Sequence, residues 1–262
     1  MEGTGNREQG TAVTFELNPA EIRMVLPLEQ GGRKYRVTHF VRRPEYKELL
    51  AFRAAFARTM ERINGAAVWS DCREAAAETL WNAIALRVEG YTLPEGADSW
   101  EQILWRELVP VSHKLLAADL FQRIGIVKPE IEEAFPLGQK SQTVYLEVRR
   151  DGLIYSNLAH VLREPGTHHL KEFRRINDTV LHVGGSRSDK TIFPSHLAEL
   201  CGLYDELIVR VEGYAIDGRA PGDALEIAKW MDALHKEAAV NALFTPAVMI
   251  EDAAAGESEP RQ

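Results

Sequence analysis

Apolar and polar residues alternate through Tyr35–Val41: Tyr35, Val37, His39 and Val41 share one parity, and Arg36, Thr38 and Phe40 the other. That is the period of a strand with one buried face. EIRMVLPL precedes it across Gly31-Gly32, which predicts a hairpin with a loose loop. Farther along, TVYLEVR and LIYSNLAHVL flank Asp151-Gly152, a favoured two-residue turn because both central residues need φ > 0. Pro44 and Pro165 follow the hairpins, and proline suits the first turn of a helix. Leu49, Phe52, Phe56, Met60 and Ile63 then step by three or four residues, as do Leu170, Phe173, Ile176 and Val180, and both stripes predict amphipathic helices. Leu197, Leu200, Tyr204, Leu207 and Val211 predict another, ending at Gly213 as its counterpart ends at Gly90, where a left-handed cap is expected. Ser99 with Gln102, and Asp223 with Glu226, have the spacing of capping boxes for a third helix. That helix leads through His113-Lys114 or His235-Lys236 into a closing helical segment.

These paired predictions reflect matched wording. HFVRRPEYKELLAFR at His39–Arg53 returns as HVLREPGTHHLKEFR at His160–Arg174, and LWNAIALRVEGY at Leu80–Tyr91 as LYDELIVRVEGY at Leu203–Tyr214. HKLLAADLF at His113–Phe121 is echoed by HKEAAVNALF at His235–Phe244. Three matches in one order predict an internal duplication. The expected fold is α+β and predominantly helical, with two tandem repeats, each a β-hairpin followed by three or four helices. The expected boundaries are a disordered tail over 1–15, repeat 1 over 16–126, a linker over 127–142, repeat 2 over 143–250 and a disordered tail over 251–262. Each repeat is long enough to bury a core of its own. The linker carries a short acidic helical piece, EIEEAF.

A net charge of −8 over 262 residues argues against a nucleic-acid binder, which needs a basic face to neutralise phosphates. Cys72 and Cys201 do not match between the repeats, and they read as small buried thiols of a reducing cytosol, not a bridge. No stretch approaches the ~20 apolar residues of a membrane span, and MEGTGNREQG does not resemble a signal peptide. The expectation is a cytoplasmic, acidic protein.

Candidate chemistry is sparse. His39 and His160 fall on the apolar parity of their strands and read as hydrogen-bonded packing residues. Arg42, Arg163, Arg53 and Arg174 recur between the repeats, where they could clamp a carboxylate or form ion pairs with Glu89 and Glu212. The RVEGY runs, Arg87–Tyr91 and Arg210–Tyr214, are explained by helix termination. His168, His169 and Glu172 have metal-like spacing, yet Lys47, Glu48 and Ala51 stand at the matching positions, and the donor set is thin. The segment Gly184–Lys190 lacks the order of a phosphate-binding loop and reads as a flexible surface loop. There is no GxSxG, HExxH or CxxC run, so no enzyme, cofactor or metal is expected. Trp69, Trp100, Trp105 and Trp230 remain as candidate anchors for a partner surface. With the four arginines, the predicted partner-binding set is Arg42, Arg53, Trp100, Trp105, Arg163, Arg174 and Trp230.

A hairpin that runs through Val41-Arg42-Arg43-Pro44, or Leu162-Arg163-Glu164-Pro165, into a helix resembles the tail assembly chaperones of tailed bacteriophages. The resemblance implies a non-enzymatic role: coating an elongated helical polypeptide, the tape-measure protein, in the cytoplasm of a bacterial host. A structural component of a phage-like particle, such as a tail or connector protein, is the alternative, placing the chain in the virion or in a homo-oligomer. A composite enzyme site between the repeats ranks below both.

Overall fold

The computed structural model of the chain describes residues 14–63, 66–70, 72–97, 99–121, 123–127, 138–183 and 190–244. In chain order these form β1 (Phe15–Glu16), β2 (Ile22–Gln30), β3 (Arg33–Val41), α1 (Tyr46–Ala54), β4 (Arg58–Ile63), β5 (Ala66–Ser70), α2 (Arg73–Ile84) and β6 (Ala85–Glu89). After a 3-10 turn at Trp100–Gln102 come α3 (Trp105–Leu108), α4 (Val111–Leu120), β7 (Ile124–Ile126), β8 (Ser141–Arg150), β9 (Leu153–Arg163), α5 (Thr167–Asp178), β10 (Leu181–Val183) and β11 (Lys190–Phe193). The chain closes with α6 (Leu197–Leu207), β12 (Ile208–Glu212), β13 (Tyr214–Ala215), α7 (Ala224–Trp230) and α8 (Ala233–Phe244).

Both long hairpins form where alternation and turn chemistry place them. β2 pairs β3 from Ile22↔Val41 to Gln30↔Arg33, and β8 pairs β9 from Ser141↔Arg163 to Arg150↔Leu153. Asp151 and Gly152 both take positive φ, as expected. Gly31 and Gly32 do so as well, so the first turn is a tight two-residue one and not the loose loop predicted.

The fold is not predominantly helical. Among the described residues helix accounts for 38% and strand for 36%, because segments read as helix ends are strands. α1 stops at Ala54, and Met60 and Ile63 lie in β4. α5 stops at Asp178, short of Val180. α2 and α6 end at Ile84 and Leu207, where Ala85 and Ile208 turn extended. The RVE of each RVEGY run is a strand, β6 or β12, laid on β3 or β9; Gly90 and Gly213 follow a strand, not a helix. Ser99 gives no side-chain cap to its 3-10 turn, whereas Asp223 caps α7 through the Glu226 amide.

Nor do two tandem repeats, each a hairpin followed by helices, describe the folding units. Strands of both halves share one antiparallel sheet, ordered β10-β11-β4-β5. β7 leaves the first half to extend the sheet β12-β9-β8-β7, and β1 pairs in parallel with β13. Phe15, placed in the tail by sequence, is therefore buried, with its ring against Tyr155 and Tyr214. Val127 donates to the Tyr145 carbonyl, so the chain is still paired where the linker was expected to start. The acidic piece EIEEAF, residues 184–189 of the Gly-rich segment, and the tails over 1–13 and 251–262 lie outside the described residues.

One core packs the sheet β2-β3-β6 against α2 and α4, around Met24, Val41, Phe52, Leu80, Trp81 and Ala117. A second packs β12-β9-β8-β7 against α6 and α8, around Leu146, Leu158, Leu162, Tyr204 and Val240. A smaller cluster of Leu49, Leu197, Cys201, Ala233 and Leu234 joins the halves. Cys201 is buried as expected; Cys72 is exposed, and both are free thiols. No helix among the described residues is long and apolar enough to cross a membrane.

Candidate functional site

The sequence-matched histidines lie in two hydrogen-bond chains, the second buried throughout and the first partly buried at Tyr91 and His113. In the first half, the Trp81 indole N–H donates to His39 Nδ1 (2.9 Å), His39 Nε2 meets the Tyr91 hydroxyl (2.8 Å), and that hydroxyl meets His113 Nδ1 (2.9 Å). An indole can only donate, which orders the chain: His39 carries its proton on Nε2, gives it to Tyr91, and Tyr91 donates to His113. In the second half Tyr204, His160, Tyr214 and His235 are linked at 2.8, 2.7 and 3.1 Å. His39 and His160 are fully buried, as their strand parity predicted. Burial holds them neutral: the pKa of His39 falls to about 4 and that of His235 to about 3, while His160 drops well below its usual value.

The lysine after the last histidine of each chain is also buried. Lys114 reaches Glu78 at 2.9 Å, and Lys236 reaches Asp205 at 2.6 Å and the Ala228 carbonyl at 2.6 Å. Lys236 is 5% exposed while the Asp205 side chain is 40% exposed, so water can solvate the acid but not the base. Lys236→Ala should therefore cost roughly 2 kcal/mol, by emptying a filled site and stranding a buried carbonyl. Lys236→Met, which refills the volume, should recover more than half of that loss. Urea unfolding of the two variants checks both values.

Two hollows lie where the halves meet. A cavity of about 210 Å³ is walled by Phe15, Met24, Phe121 and Val148, with Arg43, Arg150, Asp232 and His235 among its polar lining. Desolvation lowers the pKa of both arginines and raises that of Asp232. The polar groups are engaged from within. Arg43 donates to the Trp230 carbonyl (2.6 Å), Arg150 donates to the Glu16 carbonyl (2.7 Å) and lies over the Phe15 ring, and Asp232 accepts from the Leu234 amide (2.8 Å) at the start of α8.

Beside it, a cleft of about 560 Å³ runs between the start of α1 and the α6–α7 region. Tyr46, Trp230 and Met231 provide its aromatic and apolar surface, and Glu45, Lys229 and Arg43 its charges. The Tyr46 ring is 49% exposed. Burial pushes the Cys201 thiol, which faces Tyr46 electrostatically, up to about 12, so no thiolate forms there near neutral pH. Among the described residues, no group of three His, Cys, Asp or Glu is placed to hold a metal ion. His169 hydrogen-bonds the Gly166 amide at the start of α5, and Glu172 pairs with Arg175.

The seven predicted partner-binding residues do not form one surface. Trp230 lines the cleft. Arg53 spans the junction to Glu237 at 2.6 Å. Arg42 makes a bidentate pair with Glu48 (2.6 and 2.8 Å), whose carboxylate also accepts from the Glu45 amide that opens α1. It does not pair with Glu89, which instead takes Arg87, as Glu212 takes Arg210. Trp105 packs edge-on against Trp81, and Trp100 is half-buried in its 3-10 turn. Arg163 and Arg174 are exposed on β9 and α5.

What the predicted set leaves out is the shared sheet β10-β11-β4-β5. All five residues of β5 and all three of β10 are exposed, and the Trp69 ring, 53% exposed, lies 5.6 Å from that of Phe193. Trp69 is among the tryptophans the sequence offers as anchors, but the strand that carries it, β5, is not among the predicted elements. No protein-family model, curated protein or solved structure matches this chain.

Proposed function

We propose that the protein is a non-enzymatic assembly factor that binds an elongated, largely helical polypeptide in the cytoplasm of a bacterial host, as its resemblance to phage tail assembly chaperones implies. The observation that carries this reading is the junction cleft. It offers an exposed tyrosine and a tryptophan over an apolar floor, with charges at the rim, and grooves of that composition receive the apolar stripe of an amphipathic helix. The ionisable groups of the neighbouring cavity and of the core beneath the cleft fit binding better than chemistry. A histidine with a pKa of about 3 accepts protons poorly at neutral pH, and the cysteine of the junction is held as a thiol.

Co-expression with a long helical polypeptide of the tape-measure type tests the reading. The partner should become soluble and co-purify. Tyr46→Ala combined with Lys229→Glu should lower recovery at least about ten-fold, with the thermal midpoint of the protein unchanged. A partner that stays insoluble and unbound, with the chain recovered in assembled particles, would establish the structural-component role in its place.

A further inference from the structure

The sheet β10-β11-β4-β5 joins one antiparallel strand pair from each half. Its register places Met60 of β4 between Thr191 of β11 and Trp69 of β5. Alternation along the strands puts Arg58 and Arg62 on the same face as Met60, and Phe193 on the same face as Thr191. One face therefore presents Trp69, Phe193 and Met60 with an arginine at each end of β4. Arg58 and Arg62 are exposed, and neither forms an ion pair among the described residues. The outer strands, AAVWS and LHV, lack the lysines, prolines and bulges that keep exposed sheet edges from pairing with other chains.

Charge indicates what covers this sheet. Its strands carry Arg58, Arg62 and Lys190 against Glu61 alone, a surplus of two positive charges in a chain of net charge −8; ten negative charges in excess thus lie elsewhere. The stretch between Glu95 and Val111 complements it: the exposed Glu101 and Glu107 accompany Leu104 (71% exposed) and Leu108 (57% exposed), while Arg106 is engaged by the Ala85 carbonyl at 2.7 Å and lies over the Trp105 ring. Large apolar side chains this exposed, interleaved with acids, suit an apolar face flanked by arginines.

We propose that the Trp69–Phe193 face of one copy docks on the Glu101–Leu108 segment of a second copy, with Arg58 and Arg62 meeting Glu101 and Glu107. The two patches differ, so copies join head-to-tail into a ring or a filament, or reciprocally as a two-fold dimer. None of these residues lines the junction cleft, so self-association stands or falls apart from the binding of a helical partner.

Light scattering coupled to size exclusion, run over a concentration series, reads the outcome. The wild-type protein should assemble beyond the monomer. The double reversals Arg58→Glu/Arg62→Glu and Glu101→Arg/Glu107→Arg should each weaken association at least about ten-fold, with circular dichroism and thermal midpoints confirming intact folds. Mixing the two reversed proteins should restore assembly, since each reversed sheet then meets a reversed segment. Trp69→Asp should dissociate the wild type without being rescued by that mixing. The proposal is overturned by a protein that stays monomeric, by assembly indifferent to both reversals, or by loss in the two variants without rescue on mixing.

Discussion

Gly90→Ala is expected to lower the unfolding free energy by about 3 kcal/mol, through two costs that act together. Gly90 follows β6 at φ +84°, a conformation L side chains rarely adopt, and an added Cβ would stand 2.5 Å from the Arg36 carbonyl oxygen and 3.1 Å from the Val37 Cα. Both obstacles are backbone of β3, which is held by β2 on one side and β6 on the other, so neither can move aside cheaply. Gly213→Ala should behave similarly but less severely: φ is again +84°, the Asn157 carbonyl lies at 2.9 Å, and the other near atom is a flexible Leu158 methyl. Gly31→Ala is the control. Its φ is +58° with nothing within 4 Å, and its loss should be about 1 kcal/mol. Guanidinium denaturation of the three variants should rank them in that order; a Gly90→Ala loss no greater than that of Gly31→Ala would remove the close approach as the reason for glycine in RVEGY.

That glycine shows what the sequence revealed and what it concealed. A glycine after an apolar stripe is the mark of a helix end, and the stripe Leu197–Leu207 is helical. Val211 continues the stripe by spacing alone, but ALRVE and IVRVE also alternate with β-branched residues, and pairing with the hairpins decides the matter in favour of strand. The long hairpins were legible because turn chemistry and alternation agreed. β4 and β5 were missed although Asn64-Gly65 stands between them, a strong local hairpin signal; the spacing of Phe56, Met60 and Ile63 mimicked a helix. The shared sheet was not legible at all, since β11 pairs with β4 across more than a hundred residues and no local pattern specifies that contact. Of the site, the burial of His39 and His160 could be read from strand parity. Their partners could be named only as repeated words: HK and the tyrosine of RVEGY recur because one chain of hydrogen bonds and one buried lysine pair require them in each half.

The same buried histidines should start to destabilise the protein at a pH above the range where carboxylates titrate. In the unfolded chain a histidine binds its proton near pH 6.5, whereas in the native fold His39 does so only near 4 and His235 near 3, with His160 also far below its usual value. Above pH 6.5 both states are neutral and the full stability is present. As pH falls below 6.5 the unfolded state gains protons that the native state cannot accept, and stability is lost until the native histidines themselves titrate. Each contributes about 1.4 kcal/mol per pH unit within that window, so three together should give a slope near 4 kcal/mol per unit between roughly pH 5.5 and 4.5. By pH 4.5 the accumulated loss reaches about 8 kcal/mol, enough to unfold a domain in the lower part of the ordinary range of about 5–15 kcal/mol. The lowered carboxylates work in a different window: Glu48, held down by Arg42, and Glu226, held near 2 by Arg219, favour the native state above their unfolded pKa and lose that contribution only on acidification below about pH 4.5. Urea unfolding at pH 7.5, 6.0, 5.5 and 5.0 separates the two. The histidine mechanism requires a loss of about 6 kcal/mol already by pH 5, before the carboxylates titrate, and His235→Gln, which keeps a hydrogen-bonding group but cannot titrate, should reduce the slope by about one third. Stability that stays level from pH 7.5 to 5.0 would show that the His–Tyr–His chains take up protons in the folded state, and their neutral, ordered arrangement would have to be abandoned.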